Sequence, residues 1–308
     1  MMKGGRWYQP LLSIRDNWIR TGKNGKEELN FDFLADEFGD ITVPVEKSSE
    51  NYENSQRISM KFGDYLNYLK QYENGDIETD RTLYLKDWHF QQEQPNEALY
   101  HLPRCLRSDW VNCEHFEGSN PFRGDYRFVY IGPTGSWTPF HVDVFRSYSW
   151  SANVIGRKRW ILVPPKVELN FLQNFEFVEN ISRQNCAEID PQKEPTVISD
   201  IRPYEAEFEK LGILDFVQNA GEIVLVPSNW YHQVHNLEVT FSINHNWLNA
   251  ANISNLFEFM NFKFAEVKAA IADCIESDKL WGMQQTQAIM RADIKLNFSD
   301  LNSHVTAL

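Results

Sequence analysis

No window of the sequence approaches the ~18 consecutive apolar residues that a membrane span needs. The first residues also lack the basic, apolar, small-residue order of a secretory signal. A cytoplasmic protein is expected. Cysteine is scarce: Cys105, Cys113, Cys186 and Cys274 lie far apart with no CxxC pair. That spacing indicates neither a zinc ribbon nor a disulfide framework, and it suits a reducing compartment. Positive charge is in deficit. Thirty Lys and Arg stand against 43 Asp and Glu, a net charge of -13, and an acidic surface repels nucleic-acid phosphates and anionic membranes alike. Glycine (15) and proline (13) are too few for a collagen-like or low-complexity chain, and there is no internal repeat.

What is present is ordinary globular material, 42% hydrophobic and 14% aromatic over 308 residues. That length allows roughly two domains, or one large β domain with helical additions. Phe31, Phe33, Leu34 and Phe38 recur at helical spacing behind Asn30, a good N-cap, and Gly39 is placed to end that helix before a strand over 41–45. Residues 46–56 are polar and predict a loop, followed by a second helix carrying Met60, Phe62, Tyr65, Leu66 and Leu69. A short strand follows at 83–85.

From residue 126 the pattern changes to β-branched and aromatic runs of strand length: 126–131, 148–155, 158–163, 222–226, 232–236 and 240–247. Gly132-Pro133, Gly156, Pro164-Pro165 and Pro227-Ser228-Asn229 bound them, the layout of a sandwich or barrel. Residues 166–220 interrupt the pattern with 11 acidic residues against 5 basic ones and read as an insertion. After Trp247 apolar residues at helical spacing predict a closing helix to about residue 275.

The chemistry concentrates in this region. His141-Val142-Asp143 lies in an extended context, where residues two apart project to one face, so an imidazole and a carboxylate converge. His232 follows a Pro-Ser-Asn turn and supplies a third group, with His235 as a competitor. Two histidines and one carboxylate suit non-haem Fe(II) with open positions. In the strand 158–163, Lys158 shares a face with Trp160 and Leu162 while Arg159 shares the other. One of the two cations points inward and needs an anion, which a dicarboxylate cosubstrate supplies, unless the strand lies at an edge and both reach water.

The stretches RFVYIGPTGSWTPFHVDVFRSYSWSANVIGRKRWILVPP and VPSNWYHQVHNLEVTFSINHNW resemble the JmjC-domain 2-oxoglutarate and Fe(II) dependent oxygenases. Within that family they are similar to the branch of lysyl hydroxylases acting on the eukaryotic class 1 translation release factor. The resemblance covers the chain from about Phe31 to Trp247 and implies a mainly β, double-stranded β-helix (jelly-roll) core. It further implies metal ligation by His141, Asp143 and His232, with Lys158, Thr138 and Tyr84 binding the distal carboxylate of 2-oxoglutarate. Asn153 and Asn244 are inward-facing candidates beside the cosubstrate, and O₂ is the second cosubstrate.

The expected division is an N-terminal helix-strand region (1–125) on the core, the jelly roll (126–247) with its insertion (166–220), and a C-terminal helical region (248–308). The expected partner is a protein substrate, the release factor, with no direct nucleic-acid or membrane contact; the acidic residues suit capture of a basic segment. An N-methyl-lysine demethylase and a turnover-deficient binding module are the alternatives. The aromatic positions Tyr148, Trp150 and Trp247 are core or cavity wall.

Overall fold

Alternation along the strands after residue 126 gives the large sheet one apolar face for packing and one face that carries polar groups, whereas the small sheet buries apolar side chains on both faces. The computed structural model describes residues 15–23, 25–48, 55–77, 81–97, 99–102, 104–112, 122, 124–165, 167, 200–272 and 279–307. The N-terminal part runs α1 (Arg15–Trp18), β1 (Ile19–Thr21), β2 (Glu27–Leu29), α2 (Phe31–Phe38), β3 (Thr42–Ser48), β4 (Gln56–Lys61), α3 (Phe62–Asn74), β5 (Thr82–Trp88) and α4 (Phe90–Glu93). β6 (Arg127–Gly132), β7 (Trp137–Val142), β8 (Tyr148–Ile155) and β9 (Lys158–Val163) follow. Next come α5 (Phe208–Leu211), β10 (Leu214–Gln218), β11 (Ile223–Val226), β12 (Tyr231–Asn236) and β13 (Thr240–Trp247), then α6 (Ile253–Ala270), α7 (Lys279–Ile294) and α8 (Phe298–Ala307).

A seven-stranded sheet in the order β11-β8-β13-β6-β5-β3-β4 and a four-stranded sheet β10-β9-β12-β7 form the jelly-roll core, with helices toward both ends of the chain. On β13, Phe241, Ile243 and Trp247 enter a core with Trp18, Leu34, Val43, Leu66 and Trp88. Trp18 stacks on Phe241 at 5.2 Å. The intervening Asn244 and Asn246 line a pocket shared with residues of the other sheet. The N-terminal elements therefore cover the apolar back of the large sheet and leave its polar front to the site. A separate cluster joins Phe122, Phe145, Leu248, Leu256, Met260, Met290 and Leu301, so the C-terminal helices pack on the loop after β7.

Several elements differ from expectation. Asn30 caps α2, its side-chain oxygen accepting the Phe33 N–H at 3.5 Å, but Gly39 closes the helix in right-handed geometry. Met60 belongs to β4, paired with Val43, and α3 begins only at Phe62. An edge strand with alternating half-buried Ile58 and Met60 mimics a helix start when only spacing is read. The polar loop is short because β3 extends to Ser48; residues 49–54 lie outside the described residues. β10 lies inside the expected insertion and pairs with β9, and its exposed Leu214 and Val217 blur its alternation. Most of that insertion, 168–199, lies outside the described residues. Instead of one closing helix, the described residues after Trp247 hold three, the first spanning Ile253–Ala270. Among the described residues no helix is long and apolar enough to cross a membrane. Cys105 is exposed and unpaired, while Cys113, Cys186 and Cys274 lie outside the described residues.

Candidate metal centre

His141 and His232 are register partners across β7 and β12, with ring centroids 4.1 Å apart. Asp143 follows two residues later in extended backbone (φ -63, ψ 151), on the same side as His141. One ligand atom from each of the three lies within 4.8 Å of the others. Pro139 O accepts a hydrogen bond from His141 Nδ1 at 2.7 Å, which fixes the tautomer and leaves Nε2 with its lone pair. His232 Nδ1 makes a longer approach to Trp230 O at 3.5 Å, and Trp160 stacks on its ring at 5.8 Å. Burial, reinforced by His232, lowers the His141 pKa to about 3, so that imidazole is neutral and available. The Asp143 carboxylate accepts a 2.6 Å hydrogen bond from Ser149 Oγ.

An irregularity in β7 completes the group. Between the His232–His141 and Val234–Thr138 pairs, β12 advances two residues and β7 three. This bulge turns Thr138 and His141 toward the same pocket, whereas strict alternation sends residues three apart to opposite faces.

On β9 the question of the inward cation is resolved. Arg159 faces out to Asp215 (2.6 Å) and Glu205 (2.7 Å), while Lys158 is 1% exposed. Lys158 Nζ donates to Ser242 Oγ at 2.7 Å and lies 6.0 Å from the centre of the Tyr130 ring. No carboxylate among the described residues pairs with it. Burial, with the neighbouring Lys86 charge adding to it, lowers the Lys158 pKa to about 7. Tyr84 is buried, its hydroxyl bonded to the side chains of Asn236 and Thr138, and burial raises its pKa so that it stays a neutral donor.

Tyr84, Thr138, Lys158, Asn244, His141, Asp143 and His232 thus line one pocket. Asn153 does not join them. Its amide donates to Gly156 O at 2.7 Å, so it ties down the β8–β9 turn although it shares a face with the pocket-lining Ser151. His235, the competing ligand, lies on the opposite face of β12 from His232, stacked on Trp137 at 5.4 Å. Tyr148 stacks on Trp247 at 5.1 Å, and Trp150 is core with an edge on the pocket.

Ser149, Tyr130, Trp160, Asn236 and Ser242 are site residues that sequence reasoning missed. Alternation from Asn244 puts Ser242 on the same face, a usable signal. Alternation likewise puts Trp160 on the face of Lys158, Ser149 on that of Asn153 and Asn236 on that of His232, while Tyr130 owes its place to tertiary packing.

Comparison with known proteins matches residues 128–247 to the model of the JmjC domain, hydroxylase. Over 288 residues the chain is 38% identical to 2-oxoglutarate and iron-dependent oxygenase JMJD4 of Gallus gallus, covering 93% of this chain and 63% of that protein. The Danio rerio protein of the same name is 38% identical over 298 residues, covering 96% and 66%. The arginine-specific demethylase JMJ20 of Arabidopsis thaliana is 36% identical over 272 residues, covering 84% and 54%. The chain spans less than two thirds of the length of these curated relatives.

Proposed function

The chain belongs to the JmjC-domain family of 2-oxoglutarate and iron-dependent oxygenases, and from that premise we propose that it is a protein-lysine hydroxylase. The observation that carries the reading is the convergence of His141, Asp143 and His232 with the buried Lys158 in one pocket. Two imidazoles and a carboxylate are a donor set that fits Fe(II). A buried ammonium with no anionic partner among the described residues is costly, and a bound dicarboxylate removes that cost.

His141, Asp143 and His232 would hold the iron, and Lys158, Thr138 and Tyr84 would hold the distal carboxylate of 2-oxoglutarate. With O₂, the bound iron and 2-oxoglutarate supply the oxidising power for C–H oxidation. The residues of the chain then act by position. The Lys158 charge and the two hydroxyls fix the cosubstrate in one orientation, the Pro139 and Trp230 carbonyls orient the imidazoles, and the pocket walls keep bulk water from the reacting carbon. No side chain needs to act as a general acid or base.

The resemblance to release-factor lysyl hydroxylases makes the eukaryotic class 1 translation release factor the proposed substrate and the cytoplasm the proposed setting. A net charge of -13 favours a basic target segment. The demethylase name of the plant relative favours a second reading, oxidation of an N-methyl carbon. The two differ in product. A hydroxylase adds one oxygen atom to an unmethylated lysine and forms no formaldehyde; a demethylase releases formaldehyde and leaves the residue one methylene lighter. Mass spectrometry of release-factor and methylated peptides after incubation with the protein, Fe(II), 2-oxoglutarate and O₂ distinguishes them. Oxygen gain on an unmethylated release-factor lysine is expected, and formaldehyde from methylated peptides with that lysine unchanged would overturn the hydroxylase reading.

A further inference from the structure

Ser149 opens the inward face of β8 six residues after Asp143, opposite Val226 of β11 and Asn246 of β13. It is 7% exposed and lines the same pocket as the His-Asp-His group. Its hydroxyl donates to Asp143 Oδ2 at 2.6 Å, the short length typical of a hydroxyl donating to an ionised carboxylate. Asp143 itself lies beyond the end of β7, at the start of a loop whose next residues include Phe145 (φ 58) and Arg146 (φ 55) in left-handed backbone. A carboxylate on such a segment lacks the ladder hydrogen bonds that orient a side chain on a strand. Ser149 stands on a strand paired on both sides and supplies the missing constraint.

We propose that Ser149 is a positioning residue that reserves Asp143 Oδ2, so that Oδ1 alone is offered to the metal. The consequence concerns the neighbouring positions as well as the ligand. A metal held through a single carboxylate oxygen would keep room for the 2-oxo acid and for O₂. A carboxylate free to rotate would be able to offer both oxygens and take up part of that room. Ser149 would then govern chelation of 2-oxoglutarate without touching it. This rests on the metal reading of His141, Asp143 and His232.

The test uses the full chain under anaerobic conditions with Co(II) as the metal probe and 2-oxoglutarate as the bidentate probe. Binding is followed by the absorption of the metal, and thermal melts of the metal-free proteins run in parallel. Ser149→Ala is expected to weaken Co(II) binding about tenfold, the scale found when partners of ligating groups are removed, and to shift the absorption change caused by 2-oxoglutarate. Ser147→Ala is the control. That serine is also buried and accepts from Asn246 Nδ2 at 3.1 Å, whereas the Asp143 carboxylate is bonded by Ser149, so both readings should stay at wild-type values. Wild-type Co(II) affinity and spectrum in a folded Ser149→Ala protein would overturn the proposal, as would equal weakening in the two serine variants. Failure of the wild type to bind Co(II), or unchanged binding in His141→Ala, would instead overturn the metal reading beneath it.

Discussion

At the scale of single residues, the most consequential choice is which of two adjacent cations is buried. Lys158 sits inside at 1% exposure with a hydroxyl as its partner, while Arg159 is held outside by two carboxylates. The cause is the different cost of burying each group: Lys can shed its proton when dehydrated, whereas Arg cannot. With its pKa lowered to about 7, Lys158 is partly neutral at that pH, and Lys86, Tyr84, Tyr130 and, in the same pocket, His141, Asp143 and His232 are the titratable groups around it. A bound carboxylate favours the charged form and raises that pKa again. With Lys158 holding the cosubstrate as proposed, the affinity for 2-oxoglutarate is expected to be full below about pH 7 and to fall up to tenfold per pH unit above it, binding there taking up as much as one proton. Calorimetry in buffers of different ionisation enthalpy measures that uptake, and a flat affinity between about pH 6 and pH 9 would rule it out. In the same assay Lys158→Ala should lose affinity steeply and Arg159→Ala only slightly; equal losses would mean that the cosubstrate lies elsewhere.

Between residues and whole sheets, the elements bring the groups into register through two departures from regularity. One is the bulge in β7, which brings Thr138 to the same side as His141. The other is Gly132 at the end of β6. A Cβ there would lie 2.3 Å from Asn236 Nδ2, 2.6 Å from Ser136 Oγ and 2.7 Å from Tyr84 Cε2. Glycine is thus required by the close approach of Tyr84 and the amide that holds its hydroxyl. Gly132→Ala is expected to cost about 1–3 kcal/mol of stability through overpacking. It should also weaken 2-oxoglutarate binding, because Tyr84 is the ring that must move. Denaturant titration and cosubstrate titration read the two effects separately, and a destabilised variant with wild-type affinity would remove Tyr84 from the binding site.

For the molecule as a whole, two hydrophobic clusters have different relations to the metal centre. The N-terminal cluster supports the back of the large sheet, whereas the C-terminal cluster includes Phe145, two residues from Asp143. Burial of that phenylalanine offsets its left-handed backbone, and Arg146 adds hydrogen bonds to Asn229 Oδ1 and Tyr231 Oη, both 3.0 Å, on the turn and strand leading to His232. Met260→Ala and Leu66→Ala remove buried side chains from the C-terminal and N-terminal clusters respectively, each at about 2–5 kcal/mol. Metal affinity of the folded protein should fall in Met260→Ala and hold in Leu66→Ala. The same loss in both, read by metal titration well below the melting temperature, would show that the clusters act only through global stability.

The sequence alone specifies strands β8, β9, β11, β12 and β13, because their β-branched and aromatic residues alternate over whole strands between bounding turns, but not β10, whose exposed apolar residues hide it in the insertion. It also determined the HxD pair, since a two-residue step on extended backbone fixes one face. Family resemblance chose His232 over His235 and put Thr138 beside the histidines. Local patterning leaves both choices open, and the structure supplies their physical basis. His235 faces Trp137 on the far side of β12, and only a bulge between two paired strands turns Thr138 inward. Asn153 shows the limit of alternation, which gives a face but no depth: its amide reaches the Gly156 carbonyl instead of the pocket. The inward choice of Lys158 over Arg159, the partnership of Ser149 with Asp143 and the three helices behind Phe145 likewise follow from contacts between segments far apart in the chain, whose desolvation and packing energies no local window contains.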